Sequence, residues 1–196
     1  MKQIWKKQKA IMVPQPVAMI ATYDADGNVD VMNAAWIGVL EEDMLIMSLS
    51  SHQTTDNLKL NGALTISPAT KKTAVESDFF GMVSAKRDPQ KFARSGFHAH
   101  PSDVVKAPVI DEYPLTFECE VASLGEEDGG FHLIAKIVRI LVDDSILTNG
   151  NIDYEKMEPI CLDAANHEYR VIGAPRLPSF PRGTSFKEIR KRFPNP

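Results

Sequence analysis

The apolar positions of this chain come in short runs separated by turn residues, a pattern of many strands rather than of long helices. Residues 17–23 (VAMIATY) predict a strand, and 29–36 (VDVMNAAW) predict another. The Asp-Gly step in the DADGN segment between them predicts a hairpin. Residues 44–49 (MLIMSL) read as a buried strand, and 63–67 (ALTIS) as a further one stopped by Pro68. Between these two a short helix is expected, with Thr54 or Thr55 as its N-cap and Asn61-Gly62 as its stop.

The period changes after Lys71. Ala74, Val75, Phe79 and Phe80 predict one helix closed at Gly81, and Asp88-Pro89 predicts a second with Asp88 as N-cap. Residues 96–114, rich in His and Pro, read as an irregular crossing loop. Residues 115–124 alternate apolar and polar, 126–130 turn, and 131–142 return as a long strand. A last short strand is expected within 157–162, and 169–173 is expected to close the core. Pro175, Pro178 and Pro181 break regular structure, so 174–196 reads as a Pro-rich arm, ending in a short basic stretch, FKEIRKRF.

Many hairpins and few helices predict a mainly β fold, a barrel with short helical insertions. A doubly wound nucleotide fold would alternate strands with long helices, and neither GxGxxG nor GxxxxGK[ST] occurs. Composition adds exclusions. With 196 residues, 43% hydrophobic and 24% charged, the chain can build one full core. A net charge of −4 argues against a nucleic-acid partner. No apolar run approaches the length of a membrane helix or a signal peptide. Cys119 and Cys161 stand singly, as in a reducing compartment, so a cytoplasmic protein is expected.

The most informative stretch for chemistry is Ser48-Leu49-Ser50-Ser51-His52-Gln53-Thr54-Thr55-Asp56-Asn57. It leads from a strand end through hydroxyl and amide donors into a helix start, where free N–H groups and the helix dipole attract an anion such as a phosphate. The same residues also serve simple helix capping. In Asn33-Ala34-Ala35-Trp36, two small residues leave room for a flat ligand to approach the backbone beside an aromatic cover; a strand with a buried Trp reads equally well. Lys91 and His132 are ordinary as single residues, one a surface lysine and the other a structural histidine. His98-Ala99-His100 lacks a third ligand, and no metal site is assigned. GxSxG is absent, so a hydrolase reading has no support.

Taken in order, several segments resemble the flavin reductase-like family of FMN-binding split barrels, and its flavoredoxin branch most. They are VPQPVAMIATYDADGNVDVMNAAW, SLSSHQTTDNL, SDFFGMVSAKRDPQKFARSGF, SDVVKAPVIDEYPLTFECEV and FHLIAKIVRILVDDSIL, spread over residues 11–173. The most specific is DFFGxVS followed by KFxxxG. The resemblance implies a Greek-key split β-barrel over 1–173, with 174–196 as an arm beyond the match.

It also implies a homodimer with FMN near the subunit interface. Phosphate contacts would come from the loop with Ser50, Ser51, His52, Thr54, Thr55 and Asn57, and from Lys91. The backbone at Asn33, Ala34, Ala35 and Trp36 would approach the isoalloxazine, with His132 and Leu162 close by, and Asp30, Ser48, Leu49 and Ser84 complete the implied FMN-binding set. Asp30 departs from the pattern, standing where a neutral amide is expected, and Leu162 stands where relatives often carry an aromatic. The chemistry would then belong to flavin N5, with no catalytic side chain. NADH or NADPH would be the reductant of a reductase, and a redox partner protein that of an electron carrier. A flavin-storage protein and a pyridoxamine-phosphate-oxidase-like enzyme remain the alternatives on the same barrel.

Overall fold

The computed structural model describes residues 14–173, together with Lys2, residues 10–12 and Lys191. The expected arm at 174–196 therefore lies outside the described residues, Lys191 apart. In chain order the strands begin with β1 (Gln15–Pro16), β2 (Ala18–Tyr23), β3 (Val29–Ala34), β4 (Ile37–Glu41) and β5 (Met44–Ser50). Helix α1 (Gln53–Asn61), β6 (Ala63–Pro68), α2 (Ala74–Met82) and α3 (Lys91–Ser95) follow. Then come β7 (Ala99–Pro101), β8 (Pro108–Ile110) and the long pair β9 (Leu115–Glu127) and β10 (Gly130–Val142). The chain continues through β11 (Leu147–Thr148), β12 (Asn151–Ile152), α4 (Tyr154–Met157), β13 (Ile160–Asp163) and β14 (Glu168–Val171).

Seven strands form one antiparallel sheet in the order β3-β2-β6-β9-β10-β5-β4. Its two edges, β3 and β4, are consecutive in sequence yet do not pair, which leaves the barrel split between them. The hairpin from β2 to β3 is set by Asp24, whose Oδ1 accepts from the N–H groups of Asp26 (2.9 Å) and Asn28 (2.8 Å), while Gly27 takes φ +83°.

The near-continuous apolar run of β2 has a physical cause: both of its faces are buried. Ala18 and Ile20 point into the barrel core with Leu45, Met47, Leu64, Ile66 and Leu133. Val17, Met19 and Ala21 point the other way, into a second core with Val31, Phe80, Ile110 and Tyr113. The period-2 geometry of a strand makes one element the wall between two cores.

Several expectations need correction. Helix α2 does not close at Gly81 but runs to Met82. Gly81 instead lets the helix lie on β3, since a Cβ there would stand 3.1 Å from the Cβ of Asn33. Helix α1 is capped by His52, not by Thr54 or Thr55; Thr55 Oγ1 reaches back to accept from the His52 N–H at 2.9 Å. Helix α3 begins at Lys91 with Gln90 as cap, because Asp88 is drawn into a turn with its N–H on the Ser84 carbonyl at 3.0 Å.

The expected crossing loop contains the β7–β8 hairpin. The last strand, β14, does not close the core: as the outer edge of the small sheet β1-β13-β14 it is exposed along its length. Strand β4 was missed because its alternation is hidden by Gly38 and by exposed Val39 and Leu40. Among the described residues no helix is long and apolar enough to cross a membrane.

Candidate functional site

Two neighbouring clefts open along the split. The first, of about 410 Å³, lies between β3, the start of α1, α2 and the turn leading to α3. Its lining includes Asp30, Asn33, Ser51, His52, Gln53, Thr54, Phe80, Ser84, Arg87 and Lys91.

At the floor of this cleft sits a buried ionic group. Lys91 and Asp30 have side chains 5% and 4% exposed, and Lys91 Nζ lies 3.7 Å from Asp30 Oδ1. Thr54 Oγ1 donates to the other carboxylate oxygen, Asp30 Oδ2, at 2.6 Å. Asp30 Oδ1 itself is buried without a hydrogen-bond partner. Such an atom is costly unless something donates to it. Burial pushes the Lys91 ammonium below its ordinary value, with the charge of Asp30 acting in the opposite direction. Directly above, Gln53 and Thr54 open α1; helix geometry leaves the first amides without intrahelical acceptors.

The second cleft, also of about 410 Å³, is mostly apolar in its side chains. Met12, Pro14, Pro16, Ala35, Trp36, Ile37, Ile46 and Met47 line it, with Gln15, Ser48 and His132 as its polar members. The Trp36 indole is 61% exposed. Gln15 Oε1 is buried and lacks a hydrogen-bond partner.

The structure thus brings Asp30, Asn33, Ser51, His52, Thr54, Ser84 and Lys91 to one cleft. Ala35, Trp36, Ser48 and His132 meet at the other. Other expected contacts stand apart from both. Thr55 and Asn57 are buried and engaged with the protein, Thr55 with His52, and Asn57 through Nδ2 with Thr22 Oγ1 at 3.0 Å. They brace the loop rather than line the cavity. Ala34 and Leu49 belong to the barrel core. Ser50 is exposed at the end of β5, and Leu162 packs on the second core, paired across β13 with Gln15.

His98 and His100 take carboxylate partners, Glu112 at 2.9 Å and Asp111 at 2.6 Å. Sequence reasoning missed Gln15, Met32, Phe80 and Arg87 as lining residues. The signal for Phe80 and Arg87 lay in the DFFGxVS-to-KFxxxG segment that frames them, whereas nothing local marks Gln15.

Comparison with known proteins places this geometry. The flavoredoxin of Desulfovibrio vulgaris (Miyazaki F) superposes with a TM-score of 0.86 at 27% identity, covering 93% of this chain and 99% of that one. The flavoredoxin of Methanosarcina acetivorans gives 0.83 at 22% identity, covering 95% and 100%. A Shewanella frigidimarina protein with a split barrel domain gives 0.73 at 20% identity, over 84% and 86% of the two chains. The fold is therefore the split barrel. The description of the flavin reductase like domain matches residues 11–159. With most of its length covered by that match, the chain belongs to the flavin reductase-like domain family.

Proposed function

We propose that this chain binds FMN across the two clefts and works in flavin-dependent electron transfer, as a reductase or as an electron carrier. The observation that carries the reading is the change of chemistry along one path. Strand β3 lines the first cleft from Asp30 to Asn33, and the chain then lines the second at Ala35 and Trp36. At roughly 3.3 Å per residue the path from Asp30 to Trp36 covers at most about 20 Å. A ligand with an anionic tail and a flat apolar head fits that order.

The residues present suit such a ligand at both ends. At the tail, Lys91, the first amides of α1, and the hydroxyls of Ser51 and Ser84 offer charge and donors for a phosphate. At the head, Trp36 and Ile37 offer apolar cover, and the unpartnered Gln15 Oε1 offers an acceptor to a ring N–H. Bound FMN would supply the redox centre itself, able to take up hydride or single electrons. The side chains bind, orient and exclude water. Phe80, 1% exposed, closes the floor of the first cleft, and His132 stands at the rim of the second.

The reading includes a homodimer. Edge strand β4 leaves Val39 (78% exposed) and Leu40 (43%) outward beside the second cleft. A second copy related by two-fold symmetry would cover them. Light scattering with FMN bound checks this, and a monomer with full FMN affinity removes it.

The deciding experiment is an anaerobic assay of the FMN-loaded protein with NADH and with NADPH. Rapid bleaching of the flavin band identifies a reductase. Bleaching only with a reduced iron–sulfur protein identifies a carrier. Failure to retain FMN at all defeats the reading.

A further inference from the structure

We propose that Asp30 makes binding of the FMN phosphate proton-coupled, so that one proton is taken from solvent as the ligand enters and is shared between Asp30 Oδ1 and a phosphate oxygen. The inference rests on the FMN reading above and concerns the state in which the phosphate is held.

A phosphate monoester carries a charge between about −1.5 and −2 at neutral pH, with its second ionisation near pH 6. A site built only from cations and amides would select the dianion. This site is not built that way. Its buried cation, Lys91, already has a buried anion against it, Asp30 at 3.7 Å, so the floor of the cleft is close to neutral. Asp30 belongs to the lining of the same cavity, and its buried Oδ1 has Lys91 Nζ at 3.7 Å but no donor within hydrogen-bonding distance. A dianion set beside that oxygen would place two anionic acceptors in contact at the floor of the cleft. Like-charged acids in that position hold one proton between them. The shared proton removes one charge and gives the orphan oxygen the hydrogen bond that it lacks.

The other charged groups around the carboxylate leave this balance in place. From α1 come His52, at the cavity wall, and Asp56, which is paired with Lys86 at 2.7 Å in the half-exposed rim. From the turn before α3 comes Arg87, exposed at the mouth. Arg94 of α3 is engaged with Asp88. Strand β2 contributes neutral Thr22, and α2 contributes Phe80, Gly81 and Met82. His52 is the imidazole on the cavity wall, and a substitution there separates its part from that of Asp30.

Calorimetric titration of the apo-protein with FMN, at one pH in two buffers of different ionisation enthalpy, counts the protons. About one proton should be taken up at pH 7.5. The dissociation constant should weaken about tenfold per pH unit from roughly pH 6.5 to 8, because the ligand in solution loses the proton that the site requires. Riboflavin, without a phosphate, should bind with no uptake.

Asp30→Asn should abolish uptake and reverse the trend, with binding improving as the dianion forms, and at pH 8 it should bind FMN at least about tenfold more tightly. His52→Gln should keep the uptake. Tighter binding of FMN than riboflavin with no uptake and no weakening at higher pH overturns this inference alone. Uptake lost in His52→Gln but kept in Asp30→Asn overturns it in favour of the imidazole. Equal affinity for FMN and riboflavin overturns the phosphate site and the inference with it.

Discussion

In the first cleft Lys91, Asp30 and Thr54 are buried and already engaged with one another, whereas in the second Trp36 and Met12 stand largely in solvent. The two regions adjoin and belong to one proposed ligand, yet they would bind it by different physics. The first is pre-assembled: its charges were desolvated when the chain folded, so little ordering is left to be done on binding. The second offers apolar area, which is sequence-tolerant, weakly directional and indifferent to salt. Selectivity for a phosphate should reside in one and affinity for a flat ring in the other.

The largest test of this contrast is Lys91→Met. It leaves Asp30 buried beside an apolar side chain, and breaking a buried pair costs about 3–5 kcal/mol, toward the lower end here because the cleft admits water. A urea titration of the apo-protein should show that loss, and adding Asp30→Asn should return most of it. The same lysine change should weaken FMN about ten- to a hundredfold, the equivalent of roughly 1.5–3 kcal/mol for a hydrogen bond to a charged group, and leave riboflavin unmoved. A loss shared by both ligands would erase the distinction between the clefts.

Thr55→Ala comes next. The hydroxyl accepts from the His52 N–H and donates to the His52 carbonyl, so its removal should cost about 1 kcal/mol of stability as a lost cap. It should weaken FMN only through the loop that it braces. Trp36→Ala should act oppositely: stability unchanged within about 0.5 kcal/mol, because the ring is exposed, but FMN and riboflavin weakened alike by about 2- to 12-fold. Fluorescence titration in low and high salt separates these cases.

The smallest effect within the working pH range comes from the cores. Burial holds the Cys119 thiol up at about 12 and the Tyr113 hydroxyl well above its ordinary value. Both groups keep their protons in the folded chain and lose them in the unfolded one as pH rises. Stability should therefore be unaffected by them below about pH 9 and fall from there toward pH 12. Lys91, pushed down by burial, acts in the other direction. Thermal unfolding from pH 7 to 11 checks the sign, and Cys119→Ala should flatten the fall.

Much of this was legible in residue order. The apolar runs of β2 and β5 and the alternation of β9 were readable because each of these strands buries at least one face, and Asp-Gly located the first hairpin. The donor-rich segment from Ser48 to Asn57 pointed to the first cleft, but the division of labour inside it did not show. Whether a threonine lines a cavity or braces a loop depends on which way α1 is rotated, and that is set by Leu58 packing into the barrel. The partner of Lys91 was equally hidden, since Asp30 lies far away in sequence and meets it only across the folded sheet. Gln15 is brought to the second cleft by pairing with β13, a long-range contact without a local trace.

Strand β2 carries a last consequence. Because its alternate side chains anchor both hydrophobic clusters, neither cluster can melt while the other keeps its wall. The barrel and the helical layer over β2 and β3 should then behave as a single cooperative unit. Calorimetry on the dilute apo-protein should give one transition with equal van't Hoff and calorimetric enthalpies, and the amides of Met19, Ile20 and Ala21 should exchange with solvent only through global unfolding.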